Sequence, residues 1–156
     1  MKNTKTPTQD YLDKCAGLIE CIRGQADAIQ HVADRFAQTI LAGRMVHLFG
    51  SGHSRIMVEE MWPRYGSFPG FNPMVELSLS FHHSVVGSNG QRQAMFLENV
   101  QGFGPILWRN FVTAPDDVLL AISTSGCNAV TIDVALEAKR LGMAVVALTS
   151  LAHAGV

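Results

Sequence analysis

A chain of 156 residues with a hydrophobic content of 47% is long enough for one domain with a real core, and its formal net charge of −1 gives no electrostatic reason to expect nucleic acid or a membrane surface as a partner. No run is long and apolar enough to cross a bilayer. Three cysteines without close pairing, Cys15, Cys21 and Cys127, suggest neither a disulfide framework nor a zinc site; with the polar start Met1-Lys2-Asn3-Thr4-Lys5 they lead to the expectation of a cytoplasmic chain with no secretory signal.

From Gln9 to Ala42 apolar residues recur at spacings of three and four: Tyr11, Cys15, Leu18, Ile19, Ile22, Ala26, Ile29, Val32, Phe36 and Ile40. This predicts a helical segment over 9–42, split into two helices at Gly24 and ended by Gly43. It carries more apolar positions than one sheet face needs, so a homodimer or homotetramer is expected. An α/β core is then expected over 43–156, the whole chain forming a single domain. Met45-Val46-His47-Leu48-Phe49 reads as a strand, Gly50-Ser51-Gly52-His53-Ser54 as a tight turn, and Arg55 to Met61 as a helix closed by Pro63. A second strand is expected over Pro73 to Leu77. The stretch from His82 to Gly90 reads as irregular, Gln91 to Val100 as a helix, and Ile106 to Phe111 as a short helix.

Asp117-Val118-Leu119-Leu120-Ala121-Ile122 is a nearly continuous apolar run. It leads through Ser123-Thr124-Ser125-Gly126-Cys127-Asn128 into Ala129 to Arg140, whose apolar residues have helical spacing and which Gly142 caps. Met143 to Leu148 is a fourth strand. Apolar strands alternating with helices imply a parallel sheet covered on both faces, whose ligands bind beyond the carboxyl ends of the strands. The chain stops eight residues after the fourth strand, where a doubly wound sheet would continue, so a truncated C-terminus is expected.

Both small-residue loops lie at the ligand side. Backbone N–H groups at a helix start lack partners, and the dipole there acts like about half a positive charge. Three consecutive hydroxyls add donors, which makes a phosphate ester the natural guest. Glu60 and His53 are seven residues apart, a spacing that puts them near one face of a continuous helix, and a desolvated carboxylate suits proton transfer between adjacent carbons. His53 has three readings: a ligand-oxygen contact, a metal ligand or a helix cap. His82 and His83 follow the second strand on the ligand side. Arg55 reads equally as a phosphate contact or the partner of an acidic neighbour, and Cys127 as a small packing residue. No complete metal site can be argued from these spacings.

Phe49-Gly50-Ser51-Gly52-His53-Ser54, Ile122-Ser123-Thr124-Ser125-Gly126 and Leu136 to Thr149 together resemble the sugar isomerase (SIS) domain family of phosphosugar-binding proteins, and within it phosphoheptose-isomerase-like proteins. The resemblance implies a flavodoxin- or Rossmann-like three-layer sandwich around a five-stranded parallel sheet, with sites often formed between subunits. It implies a sugar phosphate as the small-molecule partner, held by Gly50, Ser51, Gly52, Ser54, Ser123, Thr124, Ser125 and Asn128, and an aldose–ketose isomerase that needs no cofactor. Glu60, or its neighbour Glu59, takes the place of the family's catalytic base, with His53 as a second catalytic candidate. A late histidine beyond this chain is the usual partner of that base. Asn128 stands where the family often has another Ser, and the Glu pair lies closer to the first loop than in phosphoheptose isomerases. A phosphosugar sensor without catalysis, or a phosphosugar lyase, would use the same loops.

Overall fold

The computed structural model describes residues 5–79 and 87–155. The chain divides into two compact units, Met1–Ala37 and Gln38–Val156. In the first, α1 spans Pro7–Arg23. The Thr6 hydroxyl accepts the Gln9 N–H at 3.2 Å while Gln9 Oε1 accepts the Thr6 N–H at 2.9 Å, a reciprocal cap that fixes the helix start. Gly24 follows its last turn, and a second helix, α2, spans Ala26–Leu41, its final turn belonging to the second unit. The split expected at Gly24 is therefore present. No residue of α1 is buried.

The second unit is built on four parallel strands in the order β2-β1-β3-β4. These are β1 Val46–Gly50, β2 Phe71–Met74, β3 Val118–Ile122 and β4 Ala144–Leu148. The two central strands are buried along their whole length, which is why both read as near-continuous apolar runs. The helices of this unit are α3 Arg55–Met61, α4 Ser88–Leu97, α5 Phe103–Trp108, α6 Ala129–Arg140 and α7 Leu151–Ala154. Phe49, Leu119 and Ala121 share one face of the sheet and pack with Leu107 and Trp108 of α5 and Val130, Val134 and Ala138 of α6. The alternate residues Val46, Leu48, Val118, Leu120 and Ile122 point the other way and are buried as well. The protein is thus a mixed α/β fold with a parallel sheet flanked by helices, as expected, with four strands among the described residues.

The differences from expectation lie at element ends. β2 begins at Phe71 rather than Pro73, and Leu77–Leu79 forms a 3-10 turn instead of a strand end. Pro73 is tolerated because β2 is an edge strand, where a missing ladder N–H is least costly. α4 starts at Ser88, within the stretch expected to be irregular, and α5 starts at Phe103, where Gly102 donates its N–H to the Asp133 carboxylate at 2.5 Å. His82 and His83 lie outside the described residues. The fourth strand is followed by the short α7, whose single turn is too brief to show periodicity; the Ser150 hydroxyl caps it by accepting the His153 N–H at 3.3 Å.

Toward the amino ends of the strands lies a buried polar network. Asp117 Oδ1 accepts the Met45 N–H at 2.9 Å, and its Oδ2 accepts the Ala114 N–H at 2.7 Å. His47 Nε2 sits 3.2 Å from Asp117 Oδ2, and the Asn72 amide nitrogen lies 2.9 Å from His47 Nδ1. An amide nitrogen can only donate, so Nδ1 accepts and the ring proton is on Nε2, directed at Asp117. The Trp108 ring meets the imidazole edge-on at a centroid distance of 5.2 Å. Burial lowers the His47 imidazole below its ordinary value, and the hydrogen bond and charge of Asp117 oppose this without cancelling it. Burial alone would raise the Asp117 carboxyl, but the Met45 and Ala114 amides and then His47 hold it below the usual carboxylate range.

At the opposite ends of the strands the first loop doubles back over β1. A methyl group on Gly50 would lie 2.8 Å from the backbone carbon and oxygen of Ser54. The turn that follows β1 can close only over a residue without a side chain.

Three expected outcomes follow from this packing. Because His47 binds its proton less readily in the folded chain, the unfolded chain protonates first below about pH 6.5, and stability falls with acidification from there down to the folded value. Asp117, depressed in the same sense, adds a further loss at lower pH. The urea midpoint should drop between pH 7.5 and 5.5. At pH 7.5, Asp117→Ala should cost about 2–4 kcal/mol by removing the acceptor of two part-buried N–H groups and of the buried His47. An unchanged midpoint in that variant would leave the network without a stabilising role. Gly50→Ala forces backbone to move and should lower stability by about 1–3 kcal/mol, readable as a lower melting temperature; full retention would mean that the Ser54 backbone shifts freely.

Candidate functional site

Strands β1 and β3 pair in parallel with Gly50 opposite Ile122, so the two small-residue loops leave the sheet side by side. The sheet order reverses direction between these strands, which is where open α/β sheets form their ligand crevice.

In the first loop, Ser51 is buried in an extended conformation, and its hydroxyl donates to Glu98 Oε2 at 3.1 Å. Gly52–Ser54 form a 3-10 turn closed by the Ser54 N–H on the Ser51 carbonyl at 3.1 Å. In the second loop, Ser123 is buried, and its Oγ accepts the Gly126 N–H at 3.1 Å. With a lone pair so engaged, the Ser123 O–H proton is available to donate. Ser125 Oγ accepts the Cys127 N–H at 3.3 Å and donates to Asn128 Oδ1 at 3.1 Å, which leaves the Asn128 amide as a donor. Asn128 is the N-cap of α6. The Val130 N–H in the first turn of α6 is taken by the Glu98 carbonyl oxygen at 3.0 Å. Glu98 therefore touches both loops, the first by its side chain and the helix of the second by its backbone.

A cleft of about 380 Å³ opens between these elements, toward the low end of small-molecule pockets, about 300–1,000 Å³. Ser51, Gly52, His53, Ser54, Ser123, Thr124, Ser125 and Asn128 line it together with Met95, Glu98 and His153. Gly50, the last residue of β1, precedes this lining and is not part of it. Among the described lining residues there is no lysine or arginine. The donors that line it are hydroxyls and amides at the N-terminus of α6.

Glu60 is not among these lining residues. It is exposed, pairs with Arg64, and faces a separate depression with Tyr65 and Phe68. His53 belongs to the 3-10 turn and α3 begins only at Arg55, so the seven residues from His53 to Glu60 do not run along one uninterrupted α-helix. Glu59 is directed at Arg55, with Nε and Oε1 3.2 Å apart, which realises the acidic-neighbour reading of Arg55. Cys127 is exposed rather than packed, its Sγ 3.1 Å from the Ser125 carbonyl oxygen.

Glu98, Met95 and His153 are cleft residues that carry no motif in the sequence. Glu98 follows a helix whose pattern shows only which side is apolar. His153 arrives through α7, whose start is tied to the second loop by the Ser150 N–H on the Thr124 carbonyl at 3.1 Å. Such contacts join residues far apart in the chain and leave no periodic signal.

The family model described as SIS domain matches residues 10–150. The chain is 34% identical over 149 residues to a UPF0309 protein of Oceanobacillus iheyensis, covering 95% of this chain and 58% of the relative. It is 31% identical over 145 residues to a UPF0309 protein of Listeria monocytogenes, covering 92% and 56%. It thus spans somewhat more than half the length of these relatives. Among solved structures, phosphoheptose isomerase from Neisseria gonorrhoeae shares the fold with a TM-score of 0.51 at 20% identity, over 89% of this chain and 75% of that one. The match over nearly the whole sequence establishes that this chain belongs to the SIS domain family.

Proposed function

We propose that the cleft binds a sugar phosphate and that the protein interconverts its aldose and ketose forms. The observation that carries this reading is the Ser123–Asn128 loop at the head of α6, which presents hydroxyls and a helix N-terminus to a cleft at the sheet's switch point. Membership of the SIS domain family supports it, and so does the shared fold with a protein titled phosphoheptose isomerase. Ser123, Thr124, Ser125 and Asn128 would hold the phosphate. Gly50, Ser51, Gly52 and Ser54 would bound the sugar, and His53 would exchange protons with its oxygens. Anchoring the phosphate places the reacting carbons and lets remote binding energy serve the chemistry.

Aldose–ketose isomerisation moves one proton between neighbouring carbons and one between their oxygens. A positioned acid–base pair suffices for that. A sensor that binds the same ligand would show no such transfer, so exchange of the carbon-bound proton with deuterated solvent separates the two.

The exposed apolar residues of α1, Tyr11, Leu12, Leu18, Ile19 and Ile22, support a homodimer or homotetramer.

By calorimetry, a hexose 6-phosphate should bind at least tenfold more tightly than the free hexose, and Ser123→Ala with Ser125→Ala should remove most of that preference, since a hydrogen bond to a charged group contributes about 1.5–3 kcal/mol. Equal affinities for sugar and sugar phosphate would refute the reading. Light scattering at micromolar concentration should give a mass of at least twice the 16.9 kDa chain; a monodisperse monomer would count against the assembly.

A further inference from the structure

We infer that Glu98 is the catalytic base that moves the carbon-bound proton of the sugar phosphate, an inference that rests on the isomerase reading above. Among the described residues lining the cleft, Glu98 supplies the carboxylate. Its position is set twice. The Ser51 hydroxyl donates to Oε2 at 3.1 Å, and the Glu98 carbonyl accepts the Val130 N–H at 3.0 Å. A side chain held by the first loop, on a backbone tied to α6, keeps its orientation as the ligand binds. Among the described residues Oε1 has no hydrogen-bond partner, which leaves it as the atom available to a substrate proton.

Charge sorts the ligand in the cleft. A phosphate is repelled by the Glu98 carboxylate and attracted by the donors of Ser123 to Asn128, so the phosphate end goes to the second loop. The sugar carbons are then directed toward the first loop, where Ser51 holds Glu98. Glu60 offers no such arrangement within this chain, because it pairs with Arg64 on another face.

The step balances as a proton transfer. Glu98 takes the proton from the carbon next to the carbonyl. The released C–H pair becomes the C=C bond of an enediol, the carbonyl π pair moves onto its oxygen, and that oxygen takes a proton from the His53 imidazole. Glu98 then returns its proton to the former carbonyl carbon, while the neighbouring hydroxyl gives its proton back to His53 and becomes the new carbonyl. While it sits on Glu98 the proton can exchange with solvent.

The test uses the whole chain in deuterated buffer with glucose 6-phosphate and fructose 6-phosphate as probes, following loss of the C2 proton of the aldose and of a C1 proton of the ketose by NMR. Affinity for the same probes is measured by calorimetry. Wild type should bind and exchange. Glu98→Gln should bind within about threefold of wild type and exchange about 10²–10⁴-fold more slowly. Glu98→Asp, which keeps the acid–base group on a shorter arm, should recover part of the exchange, an outcome that a purely structural role would not produce. Exchange at the wild-type rate in Glu98→Gln overturns the assignment, as does loss of probe binding in that variant with its fold intact. Abolished exchange in Glu60→Gln beside normal exchange in Glu98→Gln would place the base on α3 instead. Wild type that binds a probe without exchanging it overturns the role of Glu98 and leaves phosphosugar binding standing. Wild type that binds neither probe overturns the binding reading and this inference with it.

Discussion

The parallel pairing of β1 with β3 is the constraint on which the rest of the second unit depends. Both strands are buried on both faces, so neither can slip by one residue without sending Leu48 and Phe49, or Leu120 and Ala121, to the wrong side. The pairing sets Gly50 level with Ile122 and so brings Ser51 and Ser123 out of the sheet as neighbours. At the other end, Asp117 gathers the N–H groups of Met45 and Ala114 and faces His47, which in turn meets Asn72 of β2. One carboxylate at the entrance to β3 thereby ties together three adjacent strands. Its hydrogen bonds, part-buried except for the buried one to His47, add to the discrimination against other registers that apolar packing gives, since a shifted strand would leave donors without acceptors.

The cleft assembled at the carboxyl ends separates two kinds of polar group. The second loop contributes hydroxyls and amides backed by the twelve-residue α6, whose dipole favours negative charge. Glu98, on the end of α4, brings a negative charge into the same space. An anion held by dipoles rather than by lysine or arginine feels attraction only at short range. For the proposed phosphate, contact with the loop would then matter more than long-range steering. Internal hydrogen bonds hold the loop together, as the Gly126 N–H on Ser123 Oγ illustrates. A preformed donor set avoids the ordering cost that a mobile loop would incur on binding.

Much of the architecture is legible in residue order because burial and helix geometry leave periodic traces. The apolar runs 46–49 and 118–122 and the helix over 55–61 occur where their patterns place them. Gly24, Gly43 and Gly142 end helices as their positions suggest. The hydroxyl-rich loops are legible as well, since a strand, a run of small polar residues and a helix are contiguous in the chain. The spacing of His53 and Glu60 shows where such reasoning depends on local geometry. A seven-residue spacing has meaning only on an uninterrupted helix, and three residues of 3-10 turn before α3 change both the rotation and the rise per residue.

By itself, then, the sequence determined the alternation of buried strands and helices, the family, and the two loops that form most of the cleft lining, because each of these depends on residues close together in the chain. Only the tertiary structure decided the strand order that sets the loops side by side, the Asp117–His47–Asn72 network beneath them, and the arrival of Glu98 and His153 in the cleft. These depend on contacts between segments tens of residues apart. Such contacts are selected by how the whole sheet packs, and no local spacing rule encodes which distant carboxylate will face a given loop.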